Sequence, residues 1–265
     1  MNLPLVPGRQ PHTGHTRSMN PPVSARSCPL QNPGKTQAKL LSVCDQDSSL
    51  LKTQEQEKLL HQQALTKAQQ GNYGEAIALI TQLIHRNPSS ASHYNNRGLL
   101  HFQNGQLEAA LADYDQALKL NPRLAKVYNN RANCYAALGY LVEAIADYDV
   151  AIDLDPTNIR AWINQGITFR DLEMYSQAVE NFDLALRFTE ILHNPSQTSS
   201  STLEGHIYAE RGRTYHLSGD WNCAVADYRR ALTVLPQTRL LPQGISFRLR
   251  TQVQNWLNNL LEPLG

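Results

Sequence analysis

The chain has 265 residues, with 24 Lys and Arg against 23 Asp and Glu and an apolar content of 41%. A net charge of +1 argues against a nucleic-acid footprint, which needs a clustered basic excess, and no run approaches the roughly 18 consecutive apolar residues of a membrane span. Cys28, Cys44, Cys134 and Cys223 form no CxxC pair, so neither a zinc site nor a disulfide framework is indicated, no metal or cofactor is expected, and a reducing compartment is the default reading.

Residues 1–47 are rich in Pro, Ser, Gln, Asn and Thr and read as a disordered head. The opening Met1 to Gly8 lacks the apolar run of a secretory signal. No acid precedes Asp45, while Arg9, Arg17, Arg26, Lys35 and Lys39 are basic. That composition fits an organelle transit peptide; a plain tail, or an over-extended start with Met19 as initiator, fits as well. The expected location is the cytoplasm, or the plastid stroma if the head is a transit peptide. His12, His15, Cys28 and Cys44 match no zinc spacing.

The body is periodic. Pro88, Pro122 and Pro156 stand 34 residues apart, and Pro236 follows Pro156 at two such periods plus twelve residues. Alignment on the prolines divides the chain into a degenerate first repeat at 48–88 and repeats at 89–122, 123–156, 157–190 and 205–236. A segment at 191–204, holding the twelve extra residues, reads as a flexible surface insertion. Each repeat predicts two helices; in the second they span about Ser92–Asn104 and Leu107–Lys119. Gly105, Gly139 and Gly219 predict the left-handed turn that ends the first helix, and the prolines end the second. From 237 to 265, Ile245, Leu249, Val253, Trp256, Leu257 and Leu260 recur at three- and four-residue steps, which predicts a capping helix over about Pro242–Leu261.

The register brings like residues together. Tyr94, Tyr128, Trp162 and Tyr208 share one position; Gly98, Ala132, Gly166 and Gly212 share a small one; His101, Tyr135, Phe169 and Tyr215 follow. The second helices carry Ala110, Ala144, Ala178 and Ala224, then Tyr114, Tyr148, Phe182 and Tyr228, then Ala117, Ala151, Ala185 and Ala231. Repeat one keeps Gly71, Tyr73, Ala76 and Ile80, as a terminal cap does. This pattern resembles the tetratricopeptide motif over about residues 54–236. The resemblance implies an all-α, right-handed superhelical array of about five helix–turn–helix repeats closed by a C-terminal helix. The Tyr-Asn-Asn-Arg-Gly and Ala-Asp-Tyr-Asp wording of repeats two and three is similar to bacterial, particularly cyanobacterial, and plastid members.

No Walker loop, GxGxxG, HExxH or GxSxG is present, so no catalytic residue is assigned and the chain is read as a non-enzymatic scaffold. Asp113, Asp147 and Asp227 recur in phase with Arg97, Arg131 and Arg211, and repeat four replaces both charges together with Gln165 and Asn181. Joint change predicts structural ion pairs between the two helices of a repeat. Steps of four, three and four place Lys126, Asn130, Asn133 and Ala137, and likewise Arg160, Asn164, Ile167 and Asp171, on one other face of the first helices. Asn96, Asn130 and Asn164 recur in register, and Asn both donates and accepts. Asn96, Asn130, Asn164, Lys126, Arg160 and Asn133 are therefore the expected peptide-binding residues, with an extended acidic or polar segment of a protein as partner. The set resembles part of the carboxylate clamp of chaperone-binding members and departs from it at His61, Leu65 and Asn130. A co-chaperone or complex-assembly role is what the resemblance implies. The alternatives are a docking subunit of an enzyme complex or an RNA-binding helical-repeat protein, whose groove would be basic.

Overall fold

A computed structural model describes residues 54–192, 199–236 and 245–262. Among them are eleven helices and no strand. They are α1 (54–69), α2 (Tyr73–Arg86), α3 (Ala91–Gln103), α4 (Leu107–Leu120), α5 (Ala125–Ala137) and α6 (Leu141–Leu154). There follow α7 (Ile159–Asp171), α8 (Tyr175–Ile191), α9 (Ser199–Ser218), α10 (Trp221–Val234) and α11 (Ile245–Leu261). Each odd helix from α3 to α9 packs most closely on the even helix after it, and each even helix from α2 to α8 then meets the next pair. In addition α3 touches α5, α5 touches α7 and α7 touches α9. The first helices of the pairs thus line the inner wall of a superhelical stack, and the second helices form its outer wall.

The head at 1–47 lies outside the described residues, as do 193–198 and 237–244. The segment 191–204, expected as a loop, is helical at its described margins: α8 runs on to Ile191 and α9 begins at Ser199. The first helix of the fifth pair is thereby 20 residues long, against 13 in α3, α5 and α7. Extra residues at a repeat boundary can extend a helix without disturbing the packed register.

Interlocking of small and large residues sets the distance within a pair. Ala110, Ala117, Ala144, Ala151, Ala178, Ala185, Ala224 and Ala231 are all fully buried. Tyr114, Tyr148, Phe182 and Tyr228 are the largest fully buried side chains. Each ring lies against the small residue of the preceding helix. A Cβ on Gly98 would stand 2.7 Å from Cε1 of Tyr114, one on Gly166 3.0 Å from Phe182, and one on Gly212 2.9 Å from Cδ1 of Tyr228. The third pair accommodates Ala132, which packs with Ala144 and Tyr148. The first-helix aromatics join one pair to the next. Trp162 is half-buried, belongs to the clusters around Ala151–Ile152 and around Phe182, stacks on Phe188 at 6.1 Å and donates Nε1–H to the Pro156 carbonyl at 3.0 Å.

The helices depend on this packing more than on their ends. Among α2 to α8 no side chain caps an N-terminus; Asp220 caps α10 by accepting from the Cys223 amide at 3.2 Å. At the other end the first helices share one device. The Gln106 amide reaches the His101 carbonyl, Tyr140 reaches Tyr135 and Met174 reaches Phe169, each at 2.9 Å. This closure needs a left-handed residue just before the donor. Gly105 and Gly139 supply it at φ 76° and 82°, but repeat four forces Glu173 to φ 60°.

The capping helix buries Val253 and Leu257 and half-buries Leu249, Trp256 and Leu260 against α9 and α10. Trp256 lies on Tyr228 with centroids 5.8 Å apart, and the Arg213 guanidinium sits 5.3 Å from the Trp256 ring. Arg250 donates to the carbonyls of Leu232 and Leu235, so the cap also satisfies the C-terminal end of α10.

An arginine binds three helices in each regular pair. The Arg131 guanidinium donates Nε–H to Asp147 Oδ2 at 2.7 Å and Nη2–H to Oδ1 at 2.8 Å, and Nη1–H to Asp115 at 2.7 Å. Arg97 holds Asp113 in the same two-pronged way at 2.8 and 2.7 Å and donates to the Thr81 hydroxyl. Arg211 holds Asp227 and reaches back to Asp183. In repeat four Asn181 donates to Gln165 at 2.9 Å and Gln165 to Asp149 at 2.6 Å, so neutral amides keep the geometry. The backward contacts, at Thr81, Asp115, Asp149 and Asp183, were not read from the sequence, although they too recur every 34 residues. The hydrogen bonds to Asp147 outweigh burial and hold the Arg131 pKa above the ordinary arginine value.

Three outcomes in equilibrium unfolding follow from this packing. The Tyr148 hydroxyl donates to Asn133 Oδ1 at 2.6 Å, whereas the Tyr114 hydroxyl is buried without a partner because Leu99 stands where repeat three has Asn133. Tyr114→Phe should leave stability unchanged or raise it by about 1 kcal/mol, while Tyr148→Phe should lose about 1 kcal/mol. Glu173→Gly should gain about 1 kcal/mol by removing left-handed strain. Arg131→Met should cost about 3–5 kcal/mol by orphaning Asp147, and adding Asp147→Leu should recover a large part of it. Strictly additive losses would show that the two side chains are not coupled.

Candidate functional site

The inner wall carries the expected binding residues, but they do not form one uniform row. Lys126 on α5 and Arg160 on α7 are exposed. Asn130 is only 9% exposed and donates Nδ2–H to Asn95 Oδ1 on α3 at 2.9 Å. The Asn95 amide donates in turn to Asn96 Oδ1 at 3.3 Å, and Asn96 Nδ2 meets His61 Nε2 on α1 at 3.0 Å. Farther along, Asn164 Nδ2 donates to Asn133 Oδ1 at 2.9 Å, the oxygen that also accepts from Tyr148. The asparagines therefore tie successive first helices together. Asn130 in particular is an inter-repeat link with its donor already engaged, where the sequence reading had it open to a ligand.

Two of the expected residues do meet in a concavity. At the N-terminal end of the inner wall, α1, α2, α3 and α5 line an open cavity of about 400 Å³. Ala64, Leu65, Ala68, Leu99 and Leu100 give it an apolar floor. His61, Gln69, Asn96, Gln103 and Lys126 give it a polar rim, and no acid lines it. Its size and its mix of apolar wall with few convergent polar groups are those of a ligand pocket. Leu99 and Gln103 had no sequence signal beyond their place on helices facing the same way, and Leu65 was singled out only as a departure from the carboxylate clamp. Beside the cavity His93 is half-buried, its Nδ1 has no partner, and burial lowers its pKa.

Arg160 does not reach this cavity. At the other end of the wall the charges are mixed and mutually engaged: Arg170 on α7 pairs with Glu210 on α9, and His206 lies 3.5 Å from the same carboxylate. Burial pushes the Glu210 pKa up, but His206 and Arg170 overcome it and leave the carboxyl below its ordinary range. Among the described residues no group of three His, Cys, Asp or Glu side chains is placed to hold a metal ion, and no helix is long and apolar enough to cross a membrane.

A tetratricopeptide-repeat family model matches residues 61–125 and 100–159. No curated protein matches the sequence. Solved structures of similar fold include a thermophilic TPR protein of Thermus thermophilus, at TM-score 0.60 and 18% identity over 76% of this chain and 99% of that one. The type IV pilus biogenesis factor PilW is similar at TM-score 0.60 and 20% identity, covering 77% of this chain and 86% of its own. PilF of Pseudomonas aeruginosa is similar at TM-score 0.58 and 21% identity, over 78% and 93%. Identities this low speak to the fold alone. The stacked helix pairs described above have the fold of tetratricopeptide-repeat structures, and the family model reaches residues 61–159 of the chain.

Proposed function

We propose that this protein is a non-enzymatic interaction scaffold that holds an extended segment of a protein partner against its inner wall, with the cavity between α1, α2, α3 and α5 as the anchoring point. The repeat fold itself is that of a protein–protein interaction scaffold. The observation that carries the finer reading is the cavity's composition: an apolar floor, amide groups at the rim, an exposed Lys126 and no acid. An aliphatic side chain would fill the floor. Asn96 and Gln103 would meet the peptide backbone, and Lys126 a carboxylate beside the anchoring residue. Asn130 stands one turn after Lys126, where a full carboxylate clamp carries a further cation, which favours a polar or singly acidic segment over a densely acidic tail. A partner of this kind suits a complex-assembly factor or a co-chaperone.

Titration of the full chain into fluorescently labelled peptides tests the reading. An extended peptide pairing Leu or Val with a neighbouring acid should bind, and its Lys-substituted counterpart should not. Lys126→Glu should weaken binding about tenfold, with a larger effect at low salt, where screening is weakest. Arg160→Glu, at a residue outside the cavity, should weaken it less. Equal affinity of wild type and Lys126→Glu would place recognition elsewhere. Asn130→Ala should lower stability as well as affinity, since it removes the tie to Asn95.

A further inference from the structure

The outer wall is uniform except at α6. Val142, Ala146, Val150 and Leu154 stand four residues apart on that helix, and all four are exposed, Val142 at 70% and Val150 and Leu154 at 36% each. Residues four apart form a continuous ridge on a helix surface. In every other second helix the same register carries at least one charged or amide side chain: Gln82 and Arg86 in α2, Glu108 and Gln116 in α4, Glu180 in α8, Asn222 and Arg230 in α10. Single exposed apolar residues are ordinary, but an unbroken row is not. Among the described residues α6 packs on α5 and α7, which leaves this ridge uncovered.

The surroundings of the ridge are acidic. Helix α6 contains Glu143, Asp147, Asp149 and Asp153, and no Lys or Arg. Asp147 is buried under Arg131, but Glu143, Asp149 and Asp153 are exposed. Among the described residues none of these three is in an ion pair; Asp149 accepts a hydrogen bond from Gln165. A field of this sign repels phosphate, so it disfavours nucleic acid and anionic lipid. It also disfavours α6 against α6 of a second copy, which would face acid with acid. The apolar ridge needs an apolar counterpart, and the flanking acids need cations.

We propose that the outer face of α6 is a docking surface for a basic amphipathic helix of another protein. The partner's apolar stripe packs along Val142, Ala146, Val150 and Leu154 by ridge-into-groove contact. Its flanking Lys or Arg side chains reach Glu143, Asp149 and Asp153, which sets orientation and speeds encounter. The surface is separate from the inner-wall cavity, so one array would hold two partners on opposite walls, the first extended and the second helical.

The test uses the full chain and a synthetic probe, a fluorescein-labelled helix of about 18 residues, five turns long, with Leu at i, i+3, i+4 spacing and Lys elsewhere. Fluorescence anisotropy at physiological salt should show saturable binding. A same-composition peptide in scrambled order should bind about tenfold more weakly, and a Glu-for-Lys peptide should not bind. Ala146→Lys and Val150→Lys, both at exposed positions, should keep the wild-type circular dichroism and each lose about tenfold in affinity. Gln116→Lys, on the outer wall of α4, and Lys126→Glu, in the cavity, should leave affinity unchanged. Absence of binding, equal binding of the scrambled peptide, or indifference to Ala146→Lys and Val150→Lys would overturn the proposal. Tighter binding in Lys126→Glu, with Ala146→Lys and Val150→Lys unaffected, would also overturn it, by placing the cationic probe in the inner-wall cavity, and would leave the function proposed above standing.

Discussion

The contact between a buried ring and a residue with almost no side chain sets the spacing on which the rest of the array rests. Tyr114, Phe182 and Tyr228 lie close enough to Gly98, Gly166 and Gly212 that even a methyl group would meet the ring. The contact recurs in the second, fourth and fifth pairs, and the third places Ala132 against Tyr148 at the same position. Equal units stacked with a constant small rotation make a superhelix. An error in one unit would propagate as a change of angle, which is why the two alanines flanking each ring are also fully buried. Dispersion across so close a contact is strong, and a void there would forfeit it.

Polar side chains then fix what apolar packing leaves free. Hydrophobic contact alone allows one pair to slide or roll on the next. The arginine junctions prevent this because a planar fork holds two oxygens of one carboxylate in fixed geometry while its third nitrogen reaches the neighbouring repeat. Repeat four reaches the same end with Gln165, Asn181 and Asp149, so the function of the position is directional bonding rather than charge. On the inner wall the amide ties His61–Asn96 and Asn95–Asn130 link α1, α3 and α5. Those three helices, with α2, bound the cavity. The groups that would recognise a peptide are thus held by the same network that sets the curvature of the wall.

The two walls differ in chemistry for a geometric reason. The first helices converge and touch, so their side chains crowd into a concave surface with a real cavity. The second helices diverge, so each presents an isolated cylinder to solvent. A ligand on the inner wall spans several repeats and is read in pieces. A ligand on the outer wall can meet a single helix, and an idiosyncratic sequence in one repeat, such as the row on α6, is enough to create a separate surface.

Much of this was legible along the chain. The recurrence of Pro88, Pro122 and Pro156, the alanine and aromatic columns and the joint replacement of Arg and Asp in repeat four determined the helix pairs and the ion pairs of the second, third and fifth, and the steps from Ile245 to Leu260 determined the closing helix. These are regularities of sequence distance, and packing within a repeat follows sequence distance. Tertiary structure alone decided the rest. It turned Asn130 inward onto Asn95, brought Asp115 and Asp183 to arginines of the following repeat, and gathered His61, Asn96 and Lys126 around one cavity. It also made Glu173 adopt a glycine's conformation and turned the row from Val142 to Leu154 out to solvent. Contacts between repeats depend on the rotation from one unit to the next. That rotation arises from the packing of all the units together and is written in no single repeat.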